Sequence, residues 1–396
     1  MRHLHFLIFL AILSALAGVL FGSRQYIFNF YEKAVASNLQ TKLLSLQLNE
    51  AERLIKFSQE KPITLLFVGD IMLSRGVANQ IEKHQDYDWP FLKISTTTQE
   101  ADLTFGNLEG PISSRGENQG SMYSFRTSPE LVEGLKFAGF DILSLANNHI
   151  WDYGKEALED TIAMLKHSGI ETIGAGENYE KANAPVIIDF NSTLRGSTSS
   201  QIREVEPRIA FLAYTNLYPK SLEATENSAG ISSFELEKVK TDIQELKALK
   251  LADIIIVSFH WGEEYQDRSN PSQQEIAHSL IDAGADLIIG HHPHVIQEVE
   301  EYLSSPIALE GQGPPSPKAS ARRGWAAYSL GNFVFDQNFS KETTEGLMLK
   351  VIVKNSAQGG SLPVRQAGAS GGKKISEVLP IKIKINSAFQ PEIIEL

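Results

Sequence analysis

From Ile63 onward the chain repeats one pattern: a short apolar run rich in β-branched residues, then small or polar residues, then a segment of helical period. The apolar runs are Ile63–Val68, Leu103–Phe105, Ile142–Leu145, Ile209–Ala213, Ile254–Phe259, Leu287–Ile289 and Ala327–Leu330. Between them the spacing predicts helices over Glu130–Ala138, Lys155–Lys166, Phe234–Leu249 and Gln273–Ala283; Leu158, Ile162 and Leu165 share one face of the second. Strand alternates with helix, which is the signature of an α/β domain. Near the end, Leu347–Val353 and Ile381–Ile385 alternate as antiparallel strands do. The Gly-, Pro- and Ser-rich stretches at 191–201, 310–324 and 357–374 read as exposed connections, not domain linkers, because strands resume beside each.

The N-terminal part follows other rules. Residues Leu4–Phe21 form an apolar run interrupted only by His5, Ser14 and Gly18. As a helix it would extend roughly 27 Å, close to the hydrocarbon thickness of a bilayer. The reading is a single membrane anchor over residues 1–22 with the remainder outside the cytoplasm; the competing reading is a cleaved signal, since Ala15-Leu16-Ala17 resembles a cleavage site. Residues 23–61 then read as an amphipathic helical stalk, or a helix lying on the main domain, through Leu39, Leu43, Leu46 and Leu48, ended at Lys61-Pro62. Residues 62–396 are left as one domain.

Composition narrows the chemistry. A hydrophobic content of 42% with 21% charged residues suits a packed core, and a net charge of −12 argues against a nucleic-acid partner. Absence of cysteine excludes disulfides, thiolate zinc sites and a cysteine nucleophile.

In parallel α/β sheets ligands gather outside the carboxyl ends of the strands, and here those ends carry the polar residues. The runs lead into Gly69-Asp70, Asn107-Leu108-Glu109, Asn147-Asn148-His149, His260-Trp261-Gly262 and Gly290-His291-His292-Pro293-His294. Singly, each has an ordinary reading: Asp70 as a cap or turn residue, Glu109 as a turn carboxylate, His149 or His260 as a hydrogen-bonded core histidine. Together they form the ligand set of a hydrolytic Zn, Mn or Fe site. Asp70, Glu109, Asn148, His260, His292 and His294 are the candidate ligands, with His149 and His291 in reserve. Pro293 stiffens the turn so that His292 and His294 can face one pocket.

These residues lie in motifs that resemble a known family. FVGDIMLSR, FGNLEGPIS, SLANNHIWDYGKEAL, VSFHWGEEY, IIGHHPHVIQ and YSLGNFVFD, in this order over residues 63–340, look like the CapA capsule-synthesis family of poly-γ-glutamate accessory proteins. That family is related to calcineurin-like metallophosphoesterases, so the resemblance implies a four-layer α/β/β/α sandwich and one or two divalent ions (Mn, Zn, Fe or Mg). By that likeness Asp70 holds metal, Glu109 bridges, Asn148, His260, His292 and His294 are ligands, and His149 is the proton donor. Two departures stand out: Met72 replaces a histidine ligand, and glutamate replaces the usual bridging aspartate. His291 sits where relatives usually carry the motif's glycine, and is open to a substrate-facing, supporting or packing role.

The leading expectation is a membrane-anchored hydrolase. The ion lowers the pKa of a bound water, the resulting hydroxide attacks a phosphorus or carbonyl centre, and His149 protonates the leaving group. Arg75 and Arg126 are candidates for holding the carboxylates or phosphates of an anionic exopolymer or its precursor. The rival expectation is a non-catalytic scaffold among other membrane subunits of capsule synthesis; Met72 favours it and retention of His149 opposes it. A histidine-rich amidohydrolase barrel fits less well, because no His-x-His follows the first strand.

Overall fold

The computed structural model describes residues 62–190, 207–304, 323–355 and 373–394, together with Lys42. The expected membrane anchor, the expected stalk apart from Lys42, and the connections at 191–201, 310–322 and 357–372 lie outside the described residues. Among the described residues no helix is long and apolar enough to cross a membrane.

Two mixed sheets carry the domain. The first has eight strands in the order β16-β15-β14-β1-β2-β3-β4, with β13 also paired to β1. Its strands are β1 (Ile63–Ile71), β2 (Leu103–Leu108), β3 (Ile142–Ser144), β4 (Glu171–Ile173), β13 (Asn332–Val334), β14 (Glu345–Asn355), β15 (Lys373–Ile385) and β16 (Pro391–Ile393). The second has six strands in the order β11-β12-β10-β9-β7-β6: β6 (Val186–Asp189), β7 (Arg208–Thr215), β9 (Ile254–His260), β10 (Leu287–His291), β11 (Val299–Leu303) and β12 (Arg323–Ala327). A separate two-residue pair joins β5 (Ala175–Gly176) to β8 (Gly230–Ile231).

The near-continuous apolar runs make sense once both faces of each strand are covered. Along β1, Leu65 and Phe67 face the second sheet, while Leu66 and Val68 face a helical layer. Along β9, Ile254 and Ile256 belong to the inter-sheet core, while Ile255, Val257 and Phe259 face helices on the other side. The helices over the first sheet include α1 (Arg75–His84), α3 (Val132–Phe137) and α4 (Gly154–His167), through Val77, Ile81, Leu135, Leu158 and Leu165; α2 (Ser95–Glu100) precedes β2. After the short α5 (Tyr179–Asn183), the helices α6 (Leu236–Ala248) and α7 (Pro271–Ala283) cover the second sheet through Val239, Ile243, Ala277 and Leu280. The order of layers is therefore helix, sheet, sheet, helix. Helix α7 begins with a complete capping box, Asn270 with Gln273, and Pro271 at its first position.

The strands β1 to β4 run parallel, as do β7, β9, β10 and β12, so their carboxyl ends open into one crevice. Two close backbone approaches shape the strand ends there, one in each sheet. A Cβ at Gly69 would lie 1.9 Å from the Gly331 carbonyl oxygen, and one at Gly290 would lie 1.9 Å from the Tyr328 carbonyl oxygen. Only glycine permits either contact.

One expected strand is displaced. The apolar signal places a strand at Ala327–Leu330, but β12 starts at Arg323 and ends at Ala327, so it begins inside the loop-like stretch at 310–324. The strand is defined by pairing with β10 and β11, in which even Gly324 takes part, and the chain then bends at Gly331 with φ 69°. Tertiary pairing overrides the local apolar signal.

Phe105 is stacked at 5.9 Å on Phe211 of the opposite sheet and lies 5.7 Å from Phe67. Phe105→Ala is expected to destabilise the protein by about 3–5 kcal/mol in urea unfolding, because the rigid sheets cannot close the cavity. A loss below about 1 kcal/mol would show that the sheets are not packed through this ring.

Candidate metal centre

Asp70 lies on β1 at the point where register shifts, with Asn107 of β2 and Asn332 of β13 as its neighbours. Its Oδ1 accepts from Asn107 Nδ2 at 2.8 Å and lies 3.3 Å from His291 Nδ1. Its Oδ2 accepts from the His292 amide at 3.2 Å and lies 3.3 Å from His294 Nδ1. Burial alone would push this carboxyl up, but His291 and His294 hold it well below the usual carboxylate range.

Glu109 follows β2 directly and contrasts with Asp70. It is buried, and neither carboxylate oxygen has a hydrogen bond. His294 Nε2 is 3.6 Å and His149 Nε2 3.8 Å from Oε1, too long for one. Burial pushes Glu109 up to about 7.

The two histidines beside Pro293 sit in unusual backbone: His292 has φ 97° and His294 φ 58°. Left-handed backbone outside glycine costs about 1–3 kcal/mol per residue and persists only when its surroundings impose it. Here the His292 amide is held by Asp70, the Pro293 carbonyl accepts from the Tyr265 amide at 2.8 Å, and the His291 carbonyl accepts from the Trp261 amide at 3.1 Å. The turn is thus forced into the shape that sends both imidazoles into the crevice. Burial, with His294 nearby, lowers His292 to about 3, and burial with His292 takes His260 well below its ordinary value. Both rings are thereby kept neutral; Nδ1 of His292 has no partner, while Nδ1 of His260 faces Asn107 Nδ2 at 3.3 Å. His294 differs: burial opposes its charge, but the facing carboxylates of Glu109 and Asp70 raise it to about 9.

The remaining polar residues orient these groups. Asn332 donates to the Thr343 carbonyl at 3.0 Å and to Gln337 Oε1 at 3.1 Å, so its oxygen faces His294 Nδ1, also at 3.0 Å. That keeps a proton on Nδ1 and turns Nε2 towards Glu109, so Nε2 is the nitrogen that can bind a cation once its own proton has left. Asn148 Oδ1 meets His260 Nε2 at 2.8 Å, while its neighbour Asn147 latches the loop to Asn107 and to the Leu108 carbonyl. His149 Nδ1 is 2.7 Å from Asp152 Oδ2, which also accepts from the Phe125 amide at 2.8 Å; the Phe125 ring lies 4.0 Å from the imidazole. The acceptor fixes the tautomer, leaving His149 Nε2 facing Glu109.

The structure thus brings Asp70, Glu109, Asn148, His149, His260, His291, His292 and His294 into one crevice. It treats the other expected residues differently. His291 is fully buried, its Nδ1 3.3 Å from Oδ1 of Asp70. Arg75 is paired with Asp336 and stacked over Phe125 at 4.9 Å, one ring away from His149. Arg126 is exposed and stacked on Tyr153 at 4.2 Å. Met72 is buried in the outer core, its sulfur accepting from the Ser74 amide and hydroxyl. Sequence reading passed over Asn107, Asp152, Asn332 and Glu264. The first three carry no ligand signal of their own, although Asn107 lies two residues from Glu109 and Asp152 three from His149.

The donor chemistry fits a divalent cation. Carboxylates and imidazoles converge in two groups, Asp70 with Glu109 and His260, and Glu264 with His292 and His294, the ligand atoms within each lying within 4.8 Å of one another. Buried polar atoms without partners are rare in folded proteins, and both Glu109 oxygens and His292 Nδ1 are among those found here.

The model of the bacterial capsule synthesis protein PGA_cap matches residues 64–337. The chain is 30% identical over 338 residues to the capsule biosynthesis protein CapA of Bacillus anthracis, covering 81% of this chain and 74% of that protein. It is also 30% identical over 342 residues to the PGA biosynthesis protein CapA of Bacillus subtilis, covering 86% and 79%. Among solved structures, a calcineurin-like phosphoesterase, YfkN from Bacillus subtilis, aligns over 81% of this chain and 90% of that one with 15% identity and a TM-score of 0.40. With the motifs, the family match and the two relatives in agreement, this chain belongs to the bacterial capsule synthesis protein family.

Proposed function

We propose that the chain is a metal-dependent hydrolase of capsule synthesis, anchored in the cell membrane by Leu4–Phe21 with residues 62–396 outside the cytoplasm. Its substrate would be an anionic exopolymer of poly-γ-glutamate type, or a precursor, handled beside other membrane subunits of the capsule machinery. The observation that carries the hydrolytic reading is the pairing of an unbonded, buried Glu109 with a His149–Asp152 dyad 3.8 Å away. An ion held only for stability has no need of an oriented imidazole beside it.

Asp70, Glu109, Asn148, His260, His292 and His294 would hold one or two divalent ions, which supply Lewis acidity and an acidified water. The protein's own contribution is positional. Asp152 holds His149 with Nε2 towards the reacting centre, where it delivers a proton to the departing oxygen or nitrogen. Phe125 covers one face of the imidazole and excludes water from it. Arg126, exposed and paired only with the Tyr153 ring among the described contacts, is suited to hold a polymer carboxylate.

His149→Ala is expected to lower turnover of γ-glutamyl amide or phosphodiester substrates by about 10²–10⁴-fold while leaving metal content unchanged. Full capsule production by His149→Ala, with loss only when residues 1–22 are deleted, would instead support a scaffold. The titrations supply a second expectation. An ion needs the Glu109 carboxylate and a neutral His294, yet these groups keep protons below about 7 and about 9. Binding must displace those protons, so Mn²⁺ affinity in calorimetry should rise by more than about tenfold per pH unit between pH 6 and 7, where both leave, and by about tenfold between pH 7 and 8, where that of His294 remains. A flat profile would remove these two residues from the ligand set.

A further inference from the structure

We infer that Glu264, an exposed carboxylate that follows β9, completes a second, outer cation site with His292 and His294. This rests on the proposed metal-binding reading but adds a ligand and an ion count to it. The carboxylate lies within 4.8 Å of ring nitrogens of both histidines. The groups it faces are themselves unfilled: His292 is 6% exposed with an unbonded Nδ1, and both oxygens of buried Glu109 are unbonded next to His294. Asn332 takes up Nδ1 of His294, so Nε2 is the nitrogen left for a ligand.

Position and donor type together define what the site takes. The Glu264 segment is tied to the histidine turn by the Tyr265 amide on the Pro293 carbonyl, and the Tyr265 ring is held against Phe339 at 5.1 Å and by Gln337 Nε2 at 3.1 Å. Glu264 is thereby kept over the turn instead of drifting into solvent. Two imidazoles with one carboxylate suit Mn²⁺, Fe²⁺ or Zn²⁺, and three protein donors leave coordination positions open to an incoming group. The inner group, Asp70 with Glu109 and His260, is wholly buried. The outer ion would therefore be the one a polymer oxygen reaches first, and the one that exchanges more readily.

The test is Mn²⁺ stoichiometry and affinity of the full-length, detergent-solubilised chain, by equilibrium dialysis and elemental mass spectrometry. Wild type should bind two ions. Glu264→Gln should bind one tightly and lose about 100-fold in affinity for the other, whereas Glu263→Gln, altering the adjacent exposed acid, should still bind two. Because Glu264 is exposed, its variant should unfold at the wild-type temperature in metal-free buffer, separating ligand loss from misfolding. Two ions of unchanged affinity in Glu264→Gln, or a single ion in wild type, would overturn the outer site and leave the hydrolase proposal standing. No ion in wild type would overturn both.

Discussion

Asp70 holds the two sheets to each other through one buried carboxylate. Oδ1 ties β1 to Asn107 on β2 and faces His291 at the end of β10; Oδ2 receives the His292 amide and faces His294. An ionised group in a dry interior costs on the order of several kcal/mol unless all its lone pairs are used, and here four groups surround it. The surrounding contacts follow from that anchor: glycine at 69 and 290 so that the backbones can approach, and a histidine turn bent to deliver one amide and two imidazoles.

Against Asp70, Glu109 is the unsatisfied half of the centre. Asp70 is held ionised by histidines, while Glu109 is held near neutrality by burial with no hydrogen bond to oppose it. Two carboxyl groups in one crevice with opposed proton affinities, next to neutral His260 and His292 and a strained backbone at His292 and His294, are a costly arrangement for a protein with no ion to bind. The same arrangement is a preorganised one for a cation, because its donors are already desolvated and aimed. Orientation of the donors is delegated to amides that cannot themselves protonate: Asn107 for Asp70, Asn147 for the loop, Asn332 for His294.

The frame was readable from sequence because strands covered on both faces leave runs such as Ile254–Phe259, and parallel strands put their last residues in one place. That is why Asp70, Glu109, Asn148, His149, His260, His292 and His294 emerged together. Other residues were hidden for physical reasons. β12 contains Gly324 and begins in a loop-like stretch, so only its pairing reveals it. Asn332 and Asp152 act by orienting a neighbour, a role that no residue type announces. Glu264 resembles any exposed acid until the Tyr265–Pro293 contact brings it over the turn. Met72, seen in sequence as a missing ligand, is absorbed into the outer core by Ser74. His291 proved to be the most buried of the three clustered histidines, set against Asp70.

The most direct measurement is an anomalous-difference map from a crystal of the protein equilibrated with Mn²⁺ near pH 8. The account predicts a peak in contact with a Glu109 oxygen and with nitrogens of His260 or His292, the Asp70 contacts to Asn107 and the His292 amide remaining in place. A crystal with no peak in the crevice, or with Glu109 rotated into a hydrogen bond of its own, would contradict it.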